Sequence, residues 1–371
     1  MDIEGSVQVT VDWDGSRIRA ARIHSTRADR SQALLAGRHA DEAEVLLPRI
    51  FSICARAQAA AVSAALDAAR EGEERDALHR EMAVLAEVAL EYLWRLQIDL
   101  PSLLGLPERK EALAQLRREL ARAGGATSDW RSFIEMLRAA VHSESGGPRQ
   151  SRDCTDPAAF GDWEARSDAH AAHLLRTLRA VPLGTGGTAF LPRLAKGLLR
   201  EMGGALGADA AFSRRPTYAG APAECGARVR LAAHPLLCAM ATSTSAAYQR
   251  ILARWLELSE IPERLTRLLD GESPQPWVQG VTLGPGCGIA GVETARGLLV
   301  HAATLAGDRV TAYRIVAPTE WNFHPRGALP ADLLDVAARD ATEVEQRAAL
   351  AVQSLDPCVR YTLELARHPD A

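Results

Sequence analysis

The sequence lacks a strong charge of either sign, and it has no long apolar run. Its 371 residues include 43 lysines and arginines against 47 aspartates and glutamates, which gives a formal net charge of −4. A balance this even supplies no basic surface for nucleic acid or for an anionic membrane. No apolar run approaches the roughly 18 residues of a membrane-spanning helix, and no signal peptide follows Met1. We therefore expect a cytoplasmic protein that neither binds nucleic acid nor inserts into a membrane.

Cysteine is also scarce. Six cysteines in a chain of this length are too few for a dense disulfide framework, which favours a reduced protein. Two of them, near opposite ends of the chain, stand where a metal-binding CxxC motif would have a pair. Phe51 precedes Cys54 where the first cysteine of such a pair would stand, and Tyr361 follows Cys358 where the second would stand. Each motif is therefore half lost.

Both of these cysteines stand at predicted helix starts. Cys54 precedes an alanine-rich run from Ala55 to Ala69, and Asp356-Pro357-Cys358 has the order of an N-cap residue followed by a first-turn proline. The partial positive charge at a helix N-terminus favours the thiolate, which is the form that binds soft, low-valent metals. The alternative is that each cysteine is a small buried hydrophobic side chain, as most free cysteines are.

The pattern of apolar residues predicts an α+β fold that is mostly helical. Alternating polar and apolar residues around Asp14-Gly15 predict an N-terminal β-hairpin over 6–26. The rest is interpreted as a helical core over 41–270, a strand segment over 277–322 with a hairpin at Ala306-Gly307-Asp308, and closing helices over 331–368, all in one domain over 1–371. The individual helices are predicted at 42–50, 55–72, 77–97, 108–123, 164–180, 245–269, 331–354 and 357–368.

Four segments along the chain carry a resemblance to a known family. They are RIFSICARAQ from Arg49, ETARGLLVH from Glu293, VAPTEWNFHPRGAL from Val316 and LDPCVRYTLELARH from Leu355. In this order they resemble motifs of the large subunit of nickel–iron hydrogenases. The resemblance touches residues 7–68 and 277–364, and it implies a fold like that of the large subunit. It also implies that the terminal segments meet, so that the cysteines of the first and last segments approach each other.

The two central segments keep residues that surround the diatomic ligands of iron in that family. The resemblance implies that Arg296 and Thr319 donate hydrogen bonds to two cyanides. A cyanide nitrogen suits charge-assisted donors, whereas carbon monoxide, a poor acceptor, suits an apolar wall. The whole ligand pocket implied by the resemblance consists of Arg296, Thr319, Pro318, Leu299, Ala317 and Glu293.

The two outer segments have lost half of the nickel ligands. The family holds nickel in four thiolates, two of which bridge to iron. Here Cys54 remains at a bridging position and Cys358 at a terminal nickel position, while Phe51 and Tyr361 replace the other two. Three further positions, where the family has a proton-relaying glutamate and two histidines, are occupied by Gln32, Gln58 and Glu364.

These losses imply a protein that carries no nickel and is not an enzyme. The pattern is similar to that of HupK-type hydrogenase maturation proteins, which are cysteine-poor relatives of the large subunit. The resemblance implies a non-catalytic scaffold that transiently holds an iron–dicyanide–carbonyl group through the thiolates of Cys54 and Cys358. Such a scaffold receives the group from general hydrogenase assembly proteins and delivers it to the large-subunit precursor.

Other classes remain open from the sequence. A metal-free interaction or structural relative would keep the same motifs for packing alone. A working hydrogenase would require stoichiometric nickel. A thiol-redox protein would use Cys54 and Cys358 as a reversible disulfide.

Overall fold

The computed structural model describes residues 5–27, 30–72, 75–122, 127–146, 155–273 and 275–367. These residues form an α+β fold that is mostly helical, as predicted. The strands are β1 (Ser6–Trp13), β2 (Ile18–Ser25), β3 (Ala189–Phe190), β4 (Ala223–Glu224), β5 (Val278–Gly284), β6 (Cys287–Thr294), β7 (Gly297–Ala306), β8 (Arg309–Val316) and β9 (Arg360–Arg367).

The helices begin close to the N-terminal hairpin and continue almost to the last strand. A short 3-10 turn (Ser52–Cys54) and a π-helical turn (Arg95–Asp99) join consecutive helices. The α-helices are α1 (Ser31–Leu35), α2 (Ala40–Ile50), α3 (Ala55–Ala69), α4 (Ala77–Trp94), α5 (Leu100–Leu104), α6 (Glu111–Arg122), α7 (Thr127–Ser145), α8 (Pro157–Arg166), α9 (His170–Arg179), α10 (Lys196–Ala208), α11 (Ala227–Arg230), α12 (Pro235–Met240), α13 (Ala246–Leu269), α14 (Pro318–Asn322), α15 (Ala328–Leu333) and α16 (Ala341–Leu355).

The predicted N-terminal hairpin forms, and it gains a third strand from the other end of the chain. β1 and β2 pair antiparallel, and β9 pairs with β1 in parallel, with Val7 opposite Tyr361. The predicted closing helix over 357–368 is therefore wrong in the described residues. The sequence RYTLELAR alternates polar and apolar residues, and Tyr361 and Leu363 pack against the core beneath the sheet. This pairing holds Cys358, two residues before β9, against the N-terminal part of the chain.

An antiparallel sheet in the order β5-β6-β7-β8 fills most of the strand segment predicted over 277–322, and the hairpin between β7 and β8 is confirmed. Helix α3 packs across β5, β6 and β7. Its packing face consists of alanines, and a Cβ added to Gly288 on β6 would lie 2.2 Å from the carbonyl oxygen of Ala65. The helix backbone thus lies directly on the strand, which fixes where α3 begins and where Cys54 lies.

Most of the helices predicted between residues 42 and 269 form with small shifts at their ends. The stretch predicted over 164–180 is divided between α8 and α9, because the backbone of Ser167 is extended. The stretch predicted over 331–354 is likewise divided between α15 and α16, and Asp340 caps the second helix by accepting from the backbone N–H of Glu343 at 2.9 Å. The helices that no predicted range covers are α1, α5, α7, α10, α11, α12 and α14, together with most of α8.

The helical layer has a continuous apolar interior. Helix α13 is buried along most of its length and packs against α4, α7, α9 and α16. Within the described ranges no single helix is long and apolar enough to cross a membrane. The pair Ala40–Ile50 and Ser52–Ala69 meets that test only when combined, and it is bent by 98°.

The contact between α3 and β6 gives a test of the fold. We expect Gly288→Ala to lower the free energy of unfolding by about 3 kcal/mol, because the new methyl group would press on helix backbone that cannot rotate away. Gly284→Ala is the matched control, since no atom lies within 4 Å of the added Cβ, and we expect a change within about 0.5 kcal/mol. Urea unfolding measures both variants, and equal effects would contradict the packing described here.

Candidate metal-binding site

Cys54 and Cys358 line the same cavity, although 304 positions separate them in the sequence. The cavity has a volume of about 30 Å³, and Arg296 also lines it. Both cysteines are free thiols and are not joined by a disulfide. The convergence predicted for the two terminal motifs is therefore present in the structure.

An apolar wall completes the cavity beside the two sulfur atoms. Leu299 on β7, together with Ala317 and Pro318 at the start of α14, lines it as the motifs implied. Phe51, at the position of a lost cysteine, also lines the cavity and adds apolar surface where the family has a metal ligand. The cavity thus combines two thiols and the cationic groups of Arg27 and Arg296 with a surface that offers little hydrogen bonding.

Cys54 lies at the N-cap position of α3, as predicted, but the helix N-terminus does not favour its thiolate. The carboxylate of Glu87 on α4 accepts hydrogen bonds from the backbone N–H groups of Arg56 and Ala57, at 2.8 and 3.0 Å. Burial raises the pKa of the Cys54 thiol well above its usual value, and the nearby charges of Glu87 and Cys358 raise it further. The expectation of a helix-stabilised thiolate at Cys54 is therefore wrong in the metal-free protein.

Gln58 lies one turn further along α3 and faces the same sulfur. Its Nε2 donates to the Sγ of Cys54 at 3.7 Å, and its side chain lines the cavity. The Oε1 atom of the same amide is buried without a hydrogen-bond partner. An unpaired buried acceptor at the cavity wall is the kind of group that a bound species with a donor would satisfy.

Cys358 is surrounded by donors. The Nη1 of Arg27 donates to its Sγ at 2.6 Å, and the Oγ1 of Thr319 lies 3.1 Å from the same sulfur. The backbone N–H of Cys358 donates to Thr319 Oγ1 at 3.3 Å, which leaves the hydroxyl proton free to point at the sulfur. Thr319 therefore contacts a predicted metal ligand but does not itself line the cavity, although the resemblance assigned it to the ligand pocket as a cyanide donor.

Arg27 is a site residue that the motifs did not indicate. Its Nε forms an ion pair with Glu320 Oε1 at 3.0 Å, so the guanidinium bridges α14 and the cysteine. Burial opposes its charge, but the proximity of Cys358 and Glu320 outweighs burial and raises the pKa of Arg27 above its usual value. The only sequence signal was the position of Arg27 directly after the predicted hairpin. This position indicates a contact with Cys358 only when β9, which follows Cys358, is known to pair with β1.

Arg296 is buried and held by carboxylates from two other parts of the chain. Its Nη2 donates to Glu91 Oε2 on α4 at 2.6 Å, and its Nε lies 3.4 Å from Asp356 Oδ1. Burial opposes the charge, but Asp356 and Glu91 outweigh it and hold the pKa of Arg296 well above its usual value. Its Nη1 has no hydrogen-bond partner within the described residues, so this end of the guanidinium is available to a ligand.

Asp356 does not cap a closing helix, as the sequence had suggested. It follows the end of α16 with a φ of 58°, a left-handed conformation that stops the helix. Its carboxylate is 1% exposed and pairs with Arg95 Nη2 at 2.6 Å as well as with Arg296. The Asp-Pro-Cys motif thus ties the cysteine to the arginine through a buried ion pair.

A second layer fixes the backbone of the two central motifs. Asn322 Nδ2 donates to the carbonyl oxygen of Arg296 at 2.9 Å, and its Oδ1 accepts from the backbone N–H of Cys225 at 3.0 Å. Gly297 has a φ of 130°, and an added Cβ would lie 2.3 Å from Cys225 Sγ. The glycine is required there because no other residue would fit this conformation and this space.

Glu293 lies outside the cavity lining, although the resemblance assigned it to the ligand pocket. It pairs with Arg230 Nη1 at 2.7 Å and accepts from the backbone N–H of Leu194 at 3.3 Å. Its place in the motif therefore reflects a buried structural ion pair. Gln32, at the position of the proton-relaying glutamate, bonds the backbone of β8 through Thr311 and Tyr313 at 3.0 and 2.8 Å, and it also lies outside the cavity lining.

Another group of potential metal ligands is exposed on the surface. His39, Asp41 and Asp308 place their ligand atoms within 4.8 Å of one another. Arg70 already forms ion pairs with both carboxylates, at 2.8 and 2.6 Å, and His39 Nε2 lies 2.8 Å from Asp308. The guanidinium of Arg70 therefore already supplies the positive charge that pairs with these carboxylates, and no metal ion is needed to explain why they lie together.

Solved structures of nickel–iron hydrogenases share the fold of this protein. The reduced Ni-Fe-Se hydrogenase of D. vulgaris Hildenborough matches with a TM-score of 0.59 and 14% identity, covering 93% of this chain and 94% of that chain. An NAD+-reducing nickel–iron hydrogenase matches with a TM-score of 0.58 and 15% identity, covering 96% of both chains. The chain thus has the fold of nickel–iron hydrogenase large subunits, as the motifs predicted.

Sequence relatives narrow the class to one family. The hydrogenase expression/formation protein HoxV of Cupriavidus necator is 30% identical, over 93% of this chain and 92% of its own length. The corresponding HupK of Rhizobium leguminosarum bv. viciae is 32% identical over 99% of both chains, and HupV of Azotobacter chroococcum is 32% identical over 97% and 98%. Profiles of known protein families give no match. The chain belongs to the hydrogenase expression/formation proteins of the HoxV, HupK and HupV type, which confirms the recognition made from the motifs.

The capping of α3 by Glu87 predicts a pH dependence of stability. Burial raises the pKa of Glu87 from 4.5 to about 7, so between these values the folded state binds more protons than the unfolded state. The free energy of unfolding should therefore fall as pH rises through this window. Glu87→Gln removes the titration, and we expect wild type to lose on the order of 2 kcal/mol relative to this variant between pH 5 and 7. Urea unfolding at both pH values measures the difference, and parallel pH profiles would contradict it.

Proposed function

We propose that this protein is a non-catalytic scaffold for the assembly of nickel–iron hydrogenase. It holds an iron atom that carries two cyanides and one carbon monoxide, and it binds this group transiently as cargo. The observation that carries the proposal is the convergence of Cys54, Cys358 and Arg296 on one cavity. Membership of the expression/formation family supports the same role.

The chemistry of the lining suits this cargo. Two thiolates are soft ligands for low-valent iron, and they would bind it from opposite ends of the chain. The unpaired Nη1 of Arg296 is a charge-assisted donor for a cyanide nitrogen, and Leu299 with Pro318 offers carbon monoxide a surface without donors. These residues agree in type with what one cyanide and the carbon monoxide require.

The same lining disfavours nickel. Two of the four thiolates that nickel needs are absent, and Phe51 and Tyr361 stand at those positions. Phe51 places an aromatic ring in the cavity wall. The Tyr361 hydroxyl accepts from Gln353 Nε2 at 3.2 Å. With half of the ligand set missing, a stable bimetallic centre and hydrogen chemistry are not expected of this chain.

Binding requires two local changes. A cavity of about 30 Å³ has room for about two water molecules, so the iron group must displace side chains at the rim. Ile53, which is 40% exposed and lines the cavity, is placed to move. The buried Cys54 must also lose its proton, and iron coordination supplies the driving force for that loss. Both costs keep the affinity moderate, which suits a protein that must pass its cargo on.

The partners follow from this role. General hydrogenase assembly proteins would donate the iron group, and the large-subunit precursor, which shares this fold, would receive it. A metal-free relative that acts only as an interaction partner is the competing function, and the following experiment separates the two.

We expect protein purified without oxygen from cells that contain the assembly machinery to show infrared bands of cyanide and carbon monoxide, together with iron and without nickel. Cys54→Ala and Cys358→Ala should each abolish the bands and the iron, because each removes a ligand, while circular dichroism stays unchanged. Cys238→Ala is the matched control, since Cys238 is exposed and outside the cavity lining. Wild-type protein without bands would favour the metal-free relative, and stoichiometric nickel would favour a hydrogenase.

The two proposed cyanide donors should contribute unequally. The sequence suggested comparing Arg296→Leu with Thr319→Val, but leucine would remove the ion-pair partner of Glu91 and one of the two partners of Asp356, and so destabilise the fold. Arg296→Lys keeps the charge and loses the fork of donors, so we expect it to shorten retention of the infrared bands by roughly tenfold or more. Thr319→Val removes a neutral donor and should shorten retention by about fivefold. The decay of the bands after transfer to cargo-free buffer measures both, and a reversed order would contradict these roles.

A further inference from the structure

A second cavity lies on the outer side of Arg27. It has a volume of about 370 Å³ and is more than ten times as large as the cavity that holds the cysteines. We call it the vestibule, and its lining includes His24, Arg27, Arg214, Arg215, Glu320 and Phe323. Its walls come from the strand β2 with the residues after it, from the loop that follows α10, and from α14 with the residues after it.

The vestibule has an excess of positive charge. Arg214 and Arg215 are exposed, and neither forms an ion pair or a side-chain hydrogen bond with any described residue. Arg27 is the third arginine in the lining, and Glu320 is the one carboxylate among the described lining residues. Two adjacent arginines without an ion-pair partner among the described residues therefore lie in one concave surface.

Arg27 belongs to both cavities. One face of its guanidinium contacts Cys358 Sγ at 2.6 Å, and its Nε contacts Glu320, which lines the vestibule, at 3.0 Å. The thiol that is the predicted iron ligand is therefore one side chain away from a basic surface depression. A metal that approaches Cys358 from the vestibule would meet this arginine first, and a guanidinium that moved off the sulfur would still be held by Glu320 at the vestibule wall.

We propose that the vestibule is an anion-binding port through which the iron–cyanide–carbonyl group reaches Cys358 and leaves it, with Arg27 as the gate between the two cavities. This inference rests on the proposed function, since it names the route of the same cargo. An iron group with two cyanides and thiolate ligands is anionic, and a concave surface with unpaired arginines raises the local concentration of anions. The inner cavity is small, and its guanidinium groups are already paired with the carboxylates of Glu320, Glu91 and Asp356, so it attracts a distant anion less.

The port can be tested without the cargo by comparing two alkylating reagents of similar size and different charge. Iodoacetate is an anion and iodoacetamide is neutral, and both alkylate thiols. Site-resolved mass spectrometry gives the rate at Cys358 for each reagent, and the ratio of the two rates cancels changes in thiol reactivity. We expect the iodoacetate-to-iodoacetamide ratio at Cys358 to exceed the ratio at exposed Cys238 by about tenfold at low salt. Sodium chloride at 0.5 M should remove most of this preference.

Charge reversal identifies the residues responsible. Arg214→Glu and Arg215→Glu should each lower the ratio at Cys358 by roughly three- to tenfold and leave the iodoacetamide rate unchanged. Arg118→Glu is the control, because Arg118 is also exposed, forms no ion pair with the part of the chain that the structure describes, and lies outside the vestibule lining. An unchanged ratio in both vestibule variants, or no alkylation of Cys358 by either reagent, would overturn the port.

The outcome is separable from the proposed function. If wild-type protein shows the infrared bands while the alkylation ratios are unaffected by charge reversal, the scaffold stands and the port is wrong. If the ratios respond as expected and wild-type protein carries no iron group, the vestibule binds anions but the cargo has been misassigned, and the port for this cargo is wrong as well.

Discussion

The buried ion pairs of Arg296 with Glu91 and Asp356 are the interaction on which the site depends. A guanidinium that is 3% exposed is tolerated only because two carboxylates pair with it, and losing one partner of such a pair costs roughly 3–5 kcal/mol. The partners come from α4 and from the residue that ends α16, while the arginine lies in the turn between β6 and β7. One network therefore sets the distance between the arginine and Cys358, which follows Asp356 by two residues. The cavity is assembled only when the C-terminal segment is in place.

The sequence predicted the parts of the site that are encoded by local motifs in a fixed order. Alternation and turn residues were sufficient for the hairpins, and the four motifs correctly brought Cys54, Cys358 and Arg296 to one cavity. The closing strand was missed because Asp356-Pro357-Cys358 has the local order of a helix start, whereas its conformation is decided by pairing of β9 with β1. Local propensity is a weak guide where a distant strand supplies the hydrogen bonds.

The residues that tune the site escaped prediction for the same reason. Glu87 accepts hydrogen bonds from the free backbone N–H groups at the start of α3, beside Cys54. It nevertheless lies on a different helix, 33 positions further along the chain than Cys54. Arg27 belongs to none of the motifs, and its contact with Cys358 exists only through the three-stranded sheet. Glu293 shows the opposite error, because its place in a motif led to its assignment to the ligand pocket. In the structure it forms a buried ion pair with Arg230 that stabilises the fold. Motif identity thus locates the cavity, while its electrostatics depend on contacts distant in sequence.

The two thiols occupy different environments, and this asymmetry bears on how a carrier works. Cys54 lies against apolar residues and a capped helix, with a single long contact from Gln58 at 3.7 Å, so its proton is held tightly until a metal displaces it. Cys358 contacts a guanidinium and a hydroxyl, both of which already lie against its sulfur. A metal bound to these sulfur atoms would therefore compete with interactions that the protein already makes. Part of the gain from the metal would be offset by the contacts that are lost, which would lower the net free energy of binding. On the proposed function, this competition would favour release of the cargo, and Arg27, Thr319 and Gln58 are the residues that set it.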